Sequence, residues 1–190
     1  MKSYLVALII AASAMPTSAA ELTSQYTRLN HDTDCKVVRQ APPGEGDWSD
    51  RVCPGVGQTS YVLQSTDGRE TVAYGYSERG AMAGFTPFNY ANGTVEWRIG
   101  LVKGRKAPVA AIHRWYLANG NGDWATQVLV VSKVGGRGGN PGCAIGYVYA
   151  NEGARANIRA RQISEAAASF RCGRDKPVVD RSIHEFVSQN

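Results

Sequence analysis

Val95-Glu96-Trp97-Arg98-Ile99-Gly100-Leu101 decides the fold class. Its apolar residues Val95, Trp97, Ile99 and Leu101 alternate with Glu96 and Arg98, the period of a strand with one face on a core and the other in water. Asn92-Gly93 just before it reads as a hairpin signal, because that pair readily takes the positive φ angles of a tight turn. Moving toward the C-terminus, Val109–Leu117 is apolar on both faces apart from His113 and Arg114. After the turn cluster Asn119-Gly120-Asn121-Gly122-Asp123 comes Trp124–Ser132, whose unbroken Val128-Leu129-Val130-Val131 reads as a central strand. Cys143–Tyr149 supplies a last strand. Moving toward the N-terminus, Tyr61–Ser65 and Arg69–Ser77 flank Thr66-Asp67-Gly68, so those two runs are expected to pair through a tight turn.

Past the last strand the period changes. Ala156, Ala160, Ile163, Ala167 and Phe170 recur at steps of four, three, four and three, one stripe of a helix whose other face carries Arg155, Arg159, Arg161, Gln162 and Glu165. Ile158 falls off the stripe, and Gly173 reads as the stop. The expected fold is α+β: an antiparallel sheet meander over residues 58–150, packed against one C-terminal amphipathic helix at about 154–171, with a tail over 173–190. Residues 21–57, rich in Pro, Gly and Asp, are expected to be irregular, with at most short strands such as Lys36–Gln40.

The opening MKSYLVALIIAASAMPTSAA has Lys2, an apolar run from Tyr4 to Ala12, and small residues Ser18, Ala19 and Ala20. That is the pattern of an export signal cleaved after Ala20, and its apolar run is too short to span a bilayer. Residues 1–20 are thus expected to be a signal peptide and 21–190 a single periplasmic or secreted domain. Export leads the four cysteines into an oxidising compartment. Four cysteines allow three pairings; proximity favours Cys35 with Cys53 and Cys143 with Cys172, staples worth ~3 kcal/mol each on the loop-entropy model. Thiolate metal sites use cysteines two to four residues apart and thioredoxin-type chemistry uses C-x-x-C, and neither spacing occurs.

The net charge of +5 is mild and mostly spread out. The exceptions are Lys103, Arg105 and Lys106 and the arginines between Arg155 and Arg174. No nucleic-acid partner is expected, since such binders concentrate charge in a stripe with stacking aromatics. Weak attraction to anionic glycans or a membrane surface stays open, with no transmembrane anchor once the signal is cleaved.

Of three histidines, His31 sits in His31-Asp32-Thr33-Asp34, which reads as an Asx-capped loop rather than a metal site. By alternation His113 shares a face with Val109, Ala111, Trp115 and Leu117 and reads as a hydrogen-bonded core histidine; His184 reads as an exposed tail residue. A nucleophile elbow is absent. Asp67, Glu70, Glu96 and Asp123 are the carboxylates that a glycosidase would have to bring together. Gly135–Gly142 lacks the Lys-Ser/Thr ending of a phosphate loop and opens no helix, so it reads as a connection. No catalytic residue, metal ligand or cofactor is assigned. The candidate binding surface is aromatic: Trp97, Trp115, Tyr116 and Trp124, a stacking platform for sugar rings or an envelope protein.

Gly142-Cys143-Ala144-Ile145-Gly146-Tyr147-Val148, followed by the Ala/Arg helix and Phe170-Arg171-Cys172, resembles a pattern in small exported proteins of alphaproteobacteria. The resemblance covers residues 142–179 and, loosely, Cys35–Pro54; it implies a periplasmic setting and no particular substrate. Bacterial lysozyme inhibitors are likewise small, exported and disulfide-stapled, but Gly57-Gln58-Thr59-Ser60-Tyr61 departs at most positions from their loop leading into a tyrosine. Two functions follow as expectations: a non-enzymatic binding or envelope protein, or a glycan-active protein such as a weak glycosidase or a lysozyme inhibitor.

Overall fold

The computed structural model describes residues 21–75, 84–136 and 142–187. The export signal, the end of the Arg69–Ser77 run and the middle of the Gly135–Gly142 loop lie outside them. The chain builds three layers: a small sheet, a large sheet and a helix.

The large sheet orders its strands β1 (Thr23–Arg28), β6 (Asn89–Val102), β7 (Arg105–Leu117), β8 (Thr126–Lys133), β9 (Cys143–Tyr149) and β10 (Val178–Val179). All neighbours are antiparallel except β10, which runs parallel to β9. The small sheet runs β2 (Lys36–Gln40), β3 (Ser49–Pro54), β4 (Ser60–Thr66) and β5 (Arg69–Tyr74), all antiparallel. β4 and β5 pair as expected. Asp67 and Gly68, both at positive φ (50° and 66°), make the turn between them. Helix α2 (Ala154–Ser164), continued by a 3₁₀ turn Glu165–Ala168, lies on the face of the large sheet away from the small one. Among the described residues no helix is long and apolar enough to cross a membrane.

The stretch 21–57 is not irregular. It contributes β1 to one edge of the large sheet and β2 and β3 to the small sheet. Lys36–Gln40 is the short strand expected there, while polar composition hid β1 and β3; β2 is exposed along its whole length, and pairing and the Cys35–Cys53 disulfide hold it. The second disulfide, Cys143–Cys172, ties β9 to the segment that follows the helix. Two disulfides fit a protein of an oxidising compartment.

Asn92-Gly93 makes no hairpin but lies inside β6, where the register slips between Ala91 and Val95. There Leu29 donates to the Gly93 carbonyl at 2.8 Å, and a Cβ on Gly93 would stand 2.0 Å from the Leu29 carbonyl oxygen. The glycine admits the crossing chain and makes no turn.

β6 also corrects the expectation of a water-facing side. Val95, Trp97 and Ile99 enter the core between the sheets, while Glu96 and Arg98 are buried on the opposite face under α2. Glu96 accepts from Arg161 Nε (2.7 Å) and Ser24 Oγ (2.6 Å), and Arg98 donates to Ser164 Oγ (3.2 Å). On the helix's own side of that layer Ala156, Ala160 and Ala167 are buried, with Ile163 and Phe170 packed beside them, as the stripe predicts. The helix starts at Ala154 and leaves Ile158 exposed. It ends before the expected 171, and Gly173, at φ 78°, turns the chain after the 3₁₀ segment.

Candidate binding face

Helix α2 covers only part of the large sheet. Along β7 the residues on its side are Ala110, Ile112, Arg114 and Tyr116, and the first two are buried in the helix-side core. Arg114 and Tyr116 continue the same face past the end of that cover. In register, Tyr90 of β6 lies opposite Tyr116, and Gln127 of β8 lies on Tyr116's other side. The rings of Tyr90 and Tyr116 stack with centroids 4.9 Å apart and planes 20° from parallel. Trp124 stands nearly perpendicular to Tyr90, 4.9 Å away and at 76°.

The turn after β7 places that tryptophan. Asn119 Oδ1 accepts the backbone N–H groups of Asn121 and Asp123, both at 2.9 Å, and Asn119 N donates to the Asp123 carbonyl at 2.9 Å. The closed loop brings Trp124 back over the sheet. Tyr90 and Trp124 keep 38% and 45% of their surface exposed. Planar polar groups border the rings: Asn92 Nδ2 reaches the Tyr116 hydroxyl at 3.4 Å, and Arg114 donates to Gln127 Oε1 at 2.8 Å. Loss of hydration on packing, and then the neighbouring Tyr116, raises the Tyr90 phenol above its ordinary value, so at neutral pH it is uncharged and can donate a hydrogen bond. Exposed rings beside Asn, Gln and Arg side chains offer stacking and directed hydrogen bonds together.

Of the four aromatics expected at a surface, the structure brings Tyr116 and Trp124 to one face. Trp97 and Trp115 lie elsewhere: both are fully buried between the sheets, because β6 and β7 turn those positions toward the small sheet. Trp97 there donates to Thr27 Oγ1 at 3.0 Å. Tyr90 went unnoticed in the sequence. It precedes Asn92-Gly93, which reads as a turn, and only the register of β6 on β7 shows it beside Tyr116.

A second polar cluster is enclosed between the sheets. His113, fully buried, faces the Asn92 carbonyl with Nε2 and the Tyr74 hydroxyl with Nδ1, the latter at 2.5 Å. A carbonyl only accepts, so Nε2 carries the proton and the Tyr74 hydroxyl donates to Nδ1. His31 Nε2 lies 3.0 Å from the Tyr61 hydroxyl. Burial, opposed by the Asn92 carbonyl and assisted by His31, pushes His113 down to about 4. Burial and then Arg51, against Asp32, lower His31. Burial and then Tyr61 hold the Tyr74 hydroxyl well above its usual value. The cluster is a neutral hydrogen-bonded core joining the two sheets. His31-Asp32-Thr33-Asp34 forms a single helical turn, α1, capped reciprocally: Asp32 N donates to Asn30 Oδ1 and Asn30 N to Asp34 Oδ2. Among the described residues no group of three or more His, Cys, Asp or Glu side chains could hold a metal ion. His184 is exposed in the 3₁₀ segment Arg181–Phe186.

The carboxylates separate. Glu70, on the small sheet, accepts from Ala91 N at 2.7 Å and from Ser65 Oγ at 3.3 Å. Burial raises its carboxyl above the ordinary value, outweighing those bonds and the nearby Arg51. Glu96 lies on the helix side of the large sheet; burial pulls its carboxyl up, but bonds from Arg161 and Ser24 and the charges of Arg161 and Arg98 outweigh that and hold it low. Asp67 pairs with Arg69 at 2.6 Å, and Asp123 belongs to the turn before Trp124.

The chain matches no protein-family model, no curated protein and no solved structure.

Proposed function

We propose that this is an exported, periplasmic or secreted binding protein without catalytic machinery, and that its ligand is an envelope glycan held on the Tyr90–Tyr116–Trp124 face. The observation that carries the reading is the exposed aromatic cluster on the part of the sheet face that α2 leaves bare. The C–H face of a pyranose stacks on such rings, while Asn92, Arg114 and Gln127 stand where hydroxyl groups would be bonded. Binding is favoured over hydrolysis because Glu70 and Glu96, the two candidate acids with shifted carboxyls, are each hydrogen-bonded to protein partners and sit on different layers.

The test is co-sedimentation of the oxidised chain with purified peptidoglycan and with insoluble polysaccharides, beside lysozyme-inhibition and sugar-release assays. Wild type is expected to sediment with at least one glycan and release no sugar. Each aromatic ring contributes about 0.5–1.5 kcal/mol, so Tyr90→Ala with Trp124→Ala is expected to weaken binding roughly ten-fold or more. Equal binding by wild type and variant, or no binding to any glycan, would overturn the reading.

A further inference from the structure

The β6–β7 hairpin outruns its neighbours. β1 pairs with β6 only from Thr94 to Ile99, and β8 pairs with β7 only from Ala110 to Leu117. Beyond them Leu101 pairs with Lys106 and Val102 with Arg105, with no third strand alongside among the described residues. Lys103 and Gly104, at φ 50° and 74°, close the end in the left-handed conformations of a tight hairpin turn. The result is a projecting two-stranded finger.

Its composition is unusual for a surface tip. Leu101 and Val102 keep 62% and 45% of their surface exposed. Lys103, Arg105 and Lys106 flank them in the hairpin, and among the described residues no ion pair engages any of the three. Glu21, the residue before Leu22 and β1, is the acid nearest in register; Leu22 itself packs against Gly100. Among the described residues, three cations therefore stand against one carboxylate around two bare aliphatic side chains.

We infer that this finger docks the protein on an anionic lipid bilayer, with Leu101 and Val102 entering the headgroup–acyl boundary and Lys103, Arg105 and Lys106 at the lipid phosphates. A soluble polyanion would be held by the cations alone and leaves the exposed aliphatic pair without a role. A bilayer uses both, apolar burial and attraction to anionic headgroups acting together. The finger and the aromatic face lie toward opposite ends of one hairpin. Leu101 is eleven residues along β6 from Tyr90, roughly 35 Å at strand rise. A protein held by the finger would present the aromatic face away from the bilayer.

The test is sedimentation of the oxidised chain from Glu21 onward, which holds every described element, with vesicles of phosphatidylcholine alone and of phosphatidylcholine mixed with phosphatidylglycerol. Binding is expected only with phosphatidylglycerol and is expected to weaken with salt. Each basic residue near an anionic leaflet strengthens binding about five-fold, so Arg105→Gln with Lys106→Gln is expected to weaken it about thirty-fold. Leu101→Ser with Val102→Ser is expected to weaken it roughly ten-fold or more. All four side chains are exposed or at the tip, so near-UV circular dichroism should be unchanged. Tyr90→Ala with Trp124→Ala should bind vesicles as wild type does, which separates this result from the glycan test. The inference falls if no vesicle is bound, if phosphatidylglycerol makes no difference, or if the Leu101/Val102 variant binds as wild type while dextran sulfate competes fully.

Discussion

The two faces of the large sheet are buried by opposite means. Toward the small sheet, Trp97, Trp115, Tyr61, Tyr74 and His113 fill the space with rings in edge and tilted contact, and His113 and the two tyrosines are neutral. Toward the helix, the residues that α2 buries are Ala156, Ala160 and Ser164, small side chains packed on the aliphatic Ile112, Leu129, Val131, Ile145 and Val148 of the sheet with no aromatic ring among them. There the charges of Glu96, Arg98 and Arg161 are drawn in and paired. One strand, β6, serves both layers with alternate residues. The lesson is that period-two alternation reports two environments without saying that one is water: a polar row is equally compatible with a buried ionic layer when a partner helix supplies complementary groups.

Predictions that break this comparison begin with the aromatic layer. Trp97→Ala removes a fully buried side chain and is expected to lower unfolding stability by about 3–5 kcal/mol, measured by urea denaturation of the oxidised protein.

Next in size is a pH effect that belongs to the same side. His113 titrates at about 4 in the fold against 6.5 when unfolded. The unfolded chain therefore binds the proton first, and the stabilisation present above pH 6.5 is lost as pH falls through that window toward 4. The full loss is roughly 3 kcal/mol, and His31, also lowered, acts in the same sense. Glu70, whose carboxyl is raised, opposes it: the fold takes up its proton first, so it adds stability as the pH drops. A His113→Gln variant should show a distinctly flatter profile between pH 7 and 4 in thermal unfolding; an unchanged slope would remove His113 as its source.

The smallest effect is expected on the helix side. Glu96→Gln leaves the buried Arg98 without its anion, while Arg161, which is part-exposed, can turn to water. Gln keeps an oxygen acceptor and Arg98 keeps its Ser24 and Ser164 partners, so a loss of about 2 kcal/mol, the worth of a hydrogen bond to a charged group, is expected at neutral pH. Because the Glu96 carboxyl is held low, its contribution in wild type is present above the ordinary carboxylate value and disappears only as pH falls through the lower folded one. The two faces should thus fail in different pH windows, and chemical denaturation with and without Glu96 across acid pH will separate them.

Local chemistry made much of this legible. Asp67-Gly68 named its turn, Val128–Val131 its central strand, and the Ala156, Ala160, Ala167 stripe its buried face. The cysteine pairs favoured by proximity are the pairs formed. Asn92-Gly93 misled because the same two residues that make a hairpin also admit a close chain crossing. Trp97 and Trp115 could not be separated from Trp124 by type; the side that β6 and β7 turn to the small sheet separates them.

What the sequence by itself determined is therefore the local grammar: where strands alternate, where a turn takes positive φ, which stripe of a helix is apolar, and how four cysteines are spaced. These are set by backbone sterics and nearest-neighbour burial. Only the tertiary structure decided that there are two sheets, that Glu96 and Arg98 are buried, that Tyr90 meets Tyr116, and that the β6–β7 tip stands free with Leu101 and Val102 bare. Each of those depends on register between strands distant in the chain and on what is packed over them, and no local pattern encodes either.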